Sequence, residues 1–132
     1  MRKQILIIAA GLLIISSSSS CFHRHHSNSL TISDSRDEIE LDASYDKSKS
    51  RKIQRLLDIE LGDHSDASFK HEYIDERITL DDQTRFYLRL FPGRLKIRLD
   101  KSENPDESCE RIRTLCDDIK VMLSGNNIDI HY

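Results

Sequence analysis

From Phe86 to Leu99 apolar and polar side chains alternate on both sides of Pro92-Gly93, with Phe86, Leu88 and Leu90 before it and Leu95, Ile97 and Leu99 after it. Period-two alternation sends every second side chain to one face of a strand, so the pattern predicts a hairpin pairing Leu90 with Leu95, Leu88 with Ile97 and Phe86 with Leu99. A slip of one residue would turn all of them into water, which fixes the register. Pro-Gly suits the central positions of a type II turn, whereas primed turns better match strand twist, so a wider loop stays open as the alternative. Upstream, Phe69 to Leu80 carries Tyr73, Ile74, Ile78 and Leu80 among Glu72, Asp75 and Glu76, and runs into the polar cluster Asp81-Asp82-Gln83-Thr84. The spacing of Phe69, Tyr73 and Arg77 also permits a helix. The turn and hairpin that follow favour a strand, with Ile78 opposite Phe86 and Asp75 opposite Arg89.

Helical spacing takes over on either side of these strands. Within Ser48 to Leu61, Ile53, Leu56, Leu57, Glu60 and Leu61 fall near one face while Lys49, Arg51, Lys52 and Arg55 occupy the others, and Gly62 reads as a stop. The C-terminal pattern is stronger. Cys109, Ile112, Cys116, Ile119 and Leu123 repeat at helical spacing, Leu115 and Met122 widen the stripe, and Gly125 follows. Asn104 reads as the N-cap and Pro105 as the first helical residue, with Asp106 and Glu107 placing negative charge at the positive end of the dipole and Glu107 closing a reciprocal cap. Asn126-Asn127 then reads as a turn, and Ile128, Ile130 and Tyr132 as a short final strand.

These elements predict a small α+β domain over residues 47–132, a three- to four-stranded antiparallel sheet packed on two helices in the order α-β-β-β-α-β. The stretch before it is poor in apolar residues from Phe22 to Ser35 and reads as a flexible tether, residues 21–46, with an end-to-end distance of roughly 25 Å. Within it, Ile39, Leu41, Ala43 and Tyr45 alternate with Glu38, Glu40, Asp42 and Ser44, so an edge strand is the competing reading.

The first residues carry a different pattern: Met1-Arg2-Lys3, an apolar run from Ile5 to Ile15, then Ser16 to Ser20 and Cys21. The run is far below the roughly 20 residues that cross a bilayer as a helix and has the length of an export signal. With small residues before a cysteine, the segment resembles a bacterial lipoprotein signal peptide. That resemblance covers residues 1–21 and implies a signal at 1–20, export, cleavage before Cys21, and acyl chains on that sulfur. It also implies a periplasm-facing protein in the cell envelope, with Phe22 rather than Asp after the cysteine favouring the outer membrane. Ordinary signal cleavage after the small Ser18/Ser20 pair is the alternative and would release the chain.

Removing Arg2 and Lys3 lowers the basic count from 20 to 18 against 23 acidic residues, a net charge of −5. A mildly acidic, exported chain is a poor nucleic-acid binder. The outward face of the hairpin is nevertheless basic and aromatic: Arg85, Tyr87, Arg89 and Phe91 beside Arg94, Lys96 and Arg98. This is the candidate partner-binding surface, with solvation or neutralisation by a neighbouring strand as the alternative. No residues read as catalytic: there is no G-x-S-x-G, H-E-x-x-H, P-loop or dinucleotide turn, and no small-molecule substrate or cofactor is implied. His23, His25 and His26 cluster without the carboxylate or thiol spacing that completes a closed metal site, so no metal is assigned. Cys109 and Cys116 are seven residues apart on one helix, about 10 Å, beyond disulfide reach, and read as buried thiols. The expected function is thus a non-enzymatic, lipid-anchored binding or scaffolding module docking an envelope protein. The alternative is a periplasmic immunity or inhibitor protein, using Asp81-Asp82-Gln83 or Glu103 to Asp106. An envelope enzyme or metal carrier ranks below both.

Overall fold

The computed structural model describes residues 28–64 and 69–125. The α+β class is as expected, with more strands in the sheet and a different order. Strands β1 (Ser29–Asp34) and β2 (Glu38–Ser44) come first, then helix α1 (Ser50–Leu61), strands β3 (Ile74–Thr79), β4 (Arg85–Phe91) and β5 (Arg94–Asp100), and helix α2 (Asp106–Ser124). They form one five-stranded sheet, antiparallel throughout, in the spatial order β1-β2-β5-β4-β3. The element order is therefore β-β-α-β-β-β-α across the described residues. The expected strand over Ile128 to Tyr132 lies outside them, as do the expected signal segment, Cys21 and His23 to His26.

The largest correction concerns the tether. Residues 29–44 are two strands of the sheet, so the domain begins near Ser29 rather than at residue 47. β2 is not an edge strand: it lies between β1 and β5, with Ile39 opposite Leu99, Leu41 opposite Ile97 and Ala43 opposite Leu95. Ile39, Leu41, Ala43 and Tyr45 are all buried. β1 escaped notice because an edge strand needs little grease. Leu30 and Ile32 on its inner face are only partly covered, and its pairing with β2 supplies the rest.

The hairpin is as the alternation predicts: Leu90 faces Leu95 and Leu88 faces Ile97. Its loop is tight, because Phe91 pairs with Arg94 and leaves Pro92-Gly93 alone between the strands. Gly93 has φ 82°, the left-handed backbone that the third position of a type II turn requires. β3 pairs with β4 with Ile78 opposite Phe86 and Asp75 opposite Arg89, and so excludes the helix reading of 69–80.

Both helices cover the same face of the sheet. Ile53, Leu57 and Leu61 of α1 and Cys109, Ile112, Leu115, Cys116, Ile119 and Leu123 of α2 join the inward residues of β2 to β5 in one core. Gly62 is right-handed at φ −61°, and the helix tightens into a further turn over Gly62–His64 instead of stopping on a left-handed residue. Asn104 does not cap α2. Pro105 occupies the N-cap position, and the Asn104 side chain instead accepts from Arg85 N at 2.8 Å and donates to the carbonyls of Arg85 and Asp100. A side chain that bridges two strands leaves no oxygen for the helix.

Candidate functional site

The face of the sheet opposite the helices is open. Strand parity places Glu38, Glu40 and Asp42 of β2 on it, beside Arg94, Lys96 and Arg98 of β5, Arg85, Tyr87, Arg89 and Phe91 of β4, and Asp75, Arg77 and Thr79 of β3. The seven expected binding residues therefore share this face, and acidic bands flank them. Lys96 pairs with Glu40 at 3.4 Å, and Arg98 with Glu40 at 3.2 Å and Glu38 at 3.9 Å. On the other flank Arg89 pairs with Asp75 at 3.3 Å, and Tyr87 donates its hydroxyl proton to the same carboxylate. That bond, chiefly, holds the Asp75 carboxyl below its usual range and raises the Tyr87 phenol. The neighbouring strands thus neutralise much of the positive charge. Such exposed pairs fix side-chain positions more than they stabilise the fold.

The basic residues do not form one site. Arg85 stands at the far end of β4 from the turn, with its backbone held by Asn104 and no ion pair on its guanidinium among the described residues. Arg89, Phe91, Arg94 and Lys96 converge with Asp42 and Leu95 around a shallow depression of about 150 Å³ at the turn end of the sheet. Arg89 lies 5.3 Å above the Phe91 ring centroid, and Tyr73 packs against that ring at 5.7 Å with a tilt of 56°. Arg94 lines the depression and has no ion pair among the described residues, although Asp42 lines it too. This arrangement offers a planar donor fork, an aromatic platform and a second cation within one concavity, a combination suited to a carboxylate-bearing surface.

Sequence reasoning missed two contributors. Tyr73 is two-thirds exposed and lies just before β3, where only the fold brings it to Phe91. The acidic band from Glu38, Glu40 and Asp42 went unseen because that segment read as tether, although the Ile39 to Tyr45 alternation already carried the signal. Elsewhere, Cys109 and Cys116 are buried and free, and burial pushes the Cys116 thiol up to about 12. Such a thiol is a poor nucleophile. Among the described residues no helix is long and apolar enough to cross a membrane. No family model, curated protein or solved structure matches this chain.

Proposed function

We propose that the chain is a lipid-anchored envelope protein that acts without catalysis, holding a protein partner against the open face of its sheet while acyl chains on Cys21 fix it to the membrane. The observation that carries this reading is the uncovered concavity formed by Arg89, Phe91, Arg94 and Lys96. A sheet face that served only structure would need no unpaired arginine beside a stacked aromatic pair. The matching partner surface presents a carboxylate to Arg94 and an apolar or aromatic group to Phe91 and Tyr73. Its acidic groups would be spaced to avoid Glu38, Glu40 and Asp42, which restricts partners by repulsion.

The test is co-purification from detergent-solubilised membranes with the native chain and with Arg94→Glu, which breaks no ion pair among the described residues, followed by Arg89→Glu and Lys96→Glu. Loss of one stable partner with Arg94→Glu is the expected result. An unchanged set of partners across all variants removes the docking reading.

A second reading is an inhibitor or immunity protein, and the turn Asp81-Asp82-Gln83 favours it. Gln83 is held at φ 70°, its amide bonds the Leu80 carbonyl at 3.0 Å, and Asp82 is fastened by Thr84 N at 3.0 Å and by Arg111. A rigid acidic loop is the form that blocks a basic active site. Under this reading Arg94→Glu leaves the partner bound, and Asp81→Lys releases it.

A further inference from the structure

We infer that the end of the domain bearing the Pro92-Gly93 turn and the start of α1 rests on the anionic head groups of the membrane that holds the anchor. This rests on the reading of Cys21 as lipidated and adds an orientation and a lipid preference. Three features of the topology meet at this end. The first residue of β1, Ser29, pairs with Ser44, which pairs with Arg94 beside the turn, so the chain leading back to Cys21 leaves the sheet here. Ser44 leads through Asp46 into the first turn of α1, and the amide of Gly93 donates to Ser50 Oγ at 3.1 Å, which locks the helix start to the turn. Only eight Cα steps separate Cys21 from Ser29, a reach of at most about 29 Å fully extended. A tether that short holds this end nearest to the bilayer.

Charge along the strand axis is sorted to match. Lys47, just before α1, and Arg51, Lys52 and Arg55, in its first half, have no ion pair among the described residues. Lys49 sits among them and donates to the last-turn carbonyl of Leu123 at 3.1 Å, which covers the negative end of the α2 dipole. At the opposite end the cations are held: Arg113 and Lys101 on Asp34, Arg111 on Asp82, and Arg77 on Glu103. Arg36 and Arg85, without an ion pair among the described residues, lie at that end with Asp37, Asp100, Asp106 and Glu107. Glu72 lines a shallow pocket with Lys47 and Arg51 without an ion pair to either, and Asp42 lines the depression beside the turn, so a chain of overall negative charge presents a partly offset basic pole where its anchor emerges. Basic residues at the start of a helix oppose its dipole, a local cost that attraction to lipid phosphates would offset.

The test uses the full chain bound to vesicles of phosphatidylcholine alone or with about a third phosphatidylglycerol. A fluorophore is placed at Ser48→Cys, at the basic pole, or at Thr79→Cys, at the opposite end, and quenched by head-group-labelled lipid. Expected is strong quenching at residue 48 only, only with phosphatidylglycerol, and lost in high salt, where the screening length falls from about 10 Å at 0.1 M to about 3 Å at 1 M. Reversing Lys47, Arg51, Lys52 and Arg55 to Glu should abolish it while the melting temperature does not fall, since acidic residues near a helix start favour the dipole. Equal quenching at both positions, or quenching indifferent to phosphatidylglycerol, overturns the orientation. Failure of the anchor reads differently: the protein would not float with pure phosphatidylcholine. A free chain would then still float with phosphatidylglycerol if the basic pole binds, each basic residue contributing about fivefold, and would float with neither lipid if it does not.

Discussion

The buried contact between Thr84 and Ser108 fastens the start of α2 to the start of β4. Thr84 is fully buried, Ser108 is 3 % exposed, and the Thr84 hydroxyl donates to Ser108 Oγ at 2.7 Å. The Thr84 hydroxyl also reaches the Asp82 carboxylate, so Ser108→Ala leaves it one partner and should cost about 0.5–1.5 kcal/mol, whereas Thr84→Val removes both contacts and should cost about 1–3 kcal/mol. For a domain near one hundred residues, a 2 kcal/mol loss lowers the melting temperature by about 8–16 °C. Removing both partners leaves two apolar surfaces of nearly the same shape, so the double variant should recover about 0.5–1.5 kcal/mol of the summed losses. The backbone bonds of this corner, Thr84 N to Asp82 and Leu80 N to the Thr84 carbonyl, do not depend on the threonine side chain and remain in every variant. The assay is denaturant unfolding followed by circular dichroism for the four members of the cycle, with equal m-values as the check on two-state behaviour. Single variants that lose nothing, or losses that add without coupling, would refute the reasoning.

Gly93 should tolerate no side chain: a Cβ there would meet the Tyr45 carbonyl oxygen at 2.9 Å with φ held at 82°, so Gly93→Ala should lower stability by about 2 kcal/mol in the same unfolding assay. The Tyr45 hydroxyl is buried without a hydrogen-bond partner among the described residues, so Tyr45→Phe should raise stability by about 1 kcal/mol, and a large loss would show that it has a partner. Hydrogen bonds from Arg113 and Lys101 hold the Asp34 carboxyl at about 2. A depressed native value means that the unfolded chain binds more protons in acid. The contribution of Asp34 is therefore complete above about pH 4 and is lost as pH falls through about 2, and Asp34→Asn should flatten that limb of the stability profile. At the other extreme, burial raises the Cys116 thiol from 9.0 to about 12 and the Tyr45 phenol from 10.0 to about 12. Their contribution is complete below about pH 9 and lost as pH rises towards about 12, and a thiol reagent at neutral pH should leave Cys109 and Cys116 unmodified until denaturant is added.

What could be read from the residues follows from interactions local in sequence or fixed by strict period. The Leu90–Leu95 and Leu88–Ile97 pairs, the Ile78–Phe86 register and the α2 stripe all rest on alternation that only one burial pattern satisfies. The seven basic and aromatic residues were legible as one face for the same reason. Their division into a depression around Arg94, an Arg98 site neutralised by Glu38 and Glu40, and a remote Arg85 was not.

Those distinctions depend on β2 crossing from the first part of the chain to lie between β1 and β5, a contact between residues 38–44 and 94–100 that no local pattern encodes. Asn104 shows the same limit on a smaller scale: its type and position suit a helix cap, yet two strand ends brought together in space claim all its hydrogen bonds. Period and chemistry along the chain settled which residues face inward and which outward. Which charges are cancelled, which arginine is left without an ion pair among the described residues, and at which end of the sheet β1 begins were set by packing between distant segments, because electrostatic pairing acts through distance in space and is blind to separation along the chain.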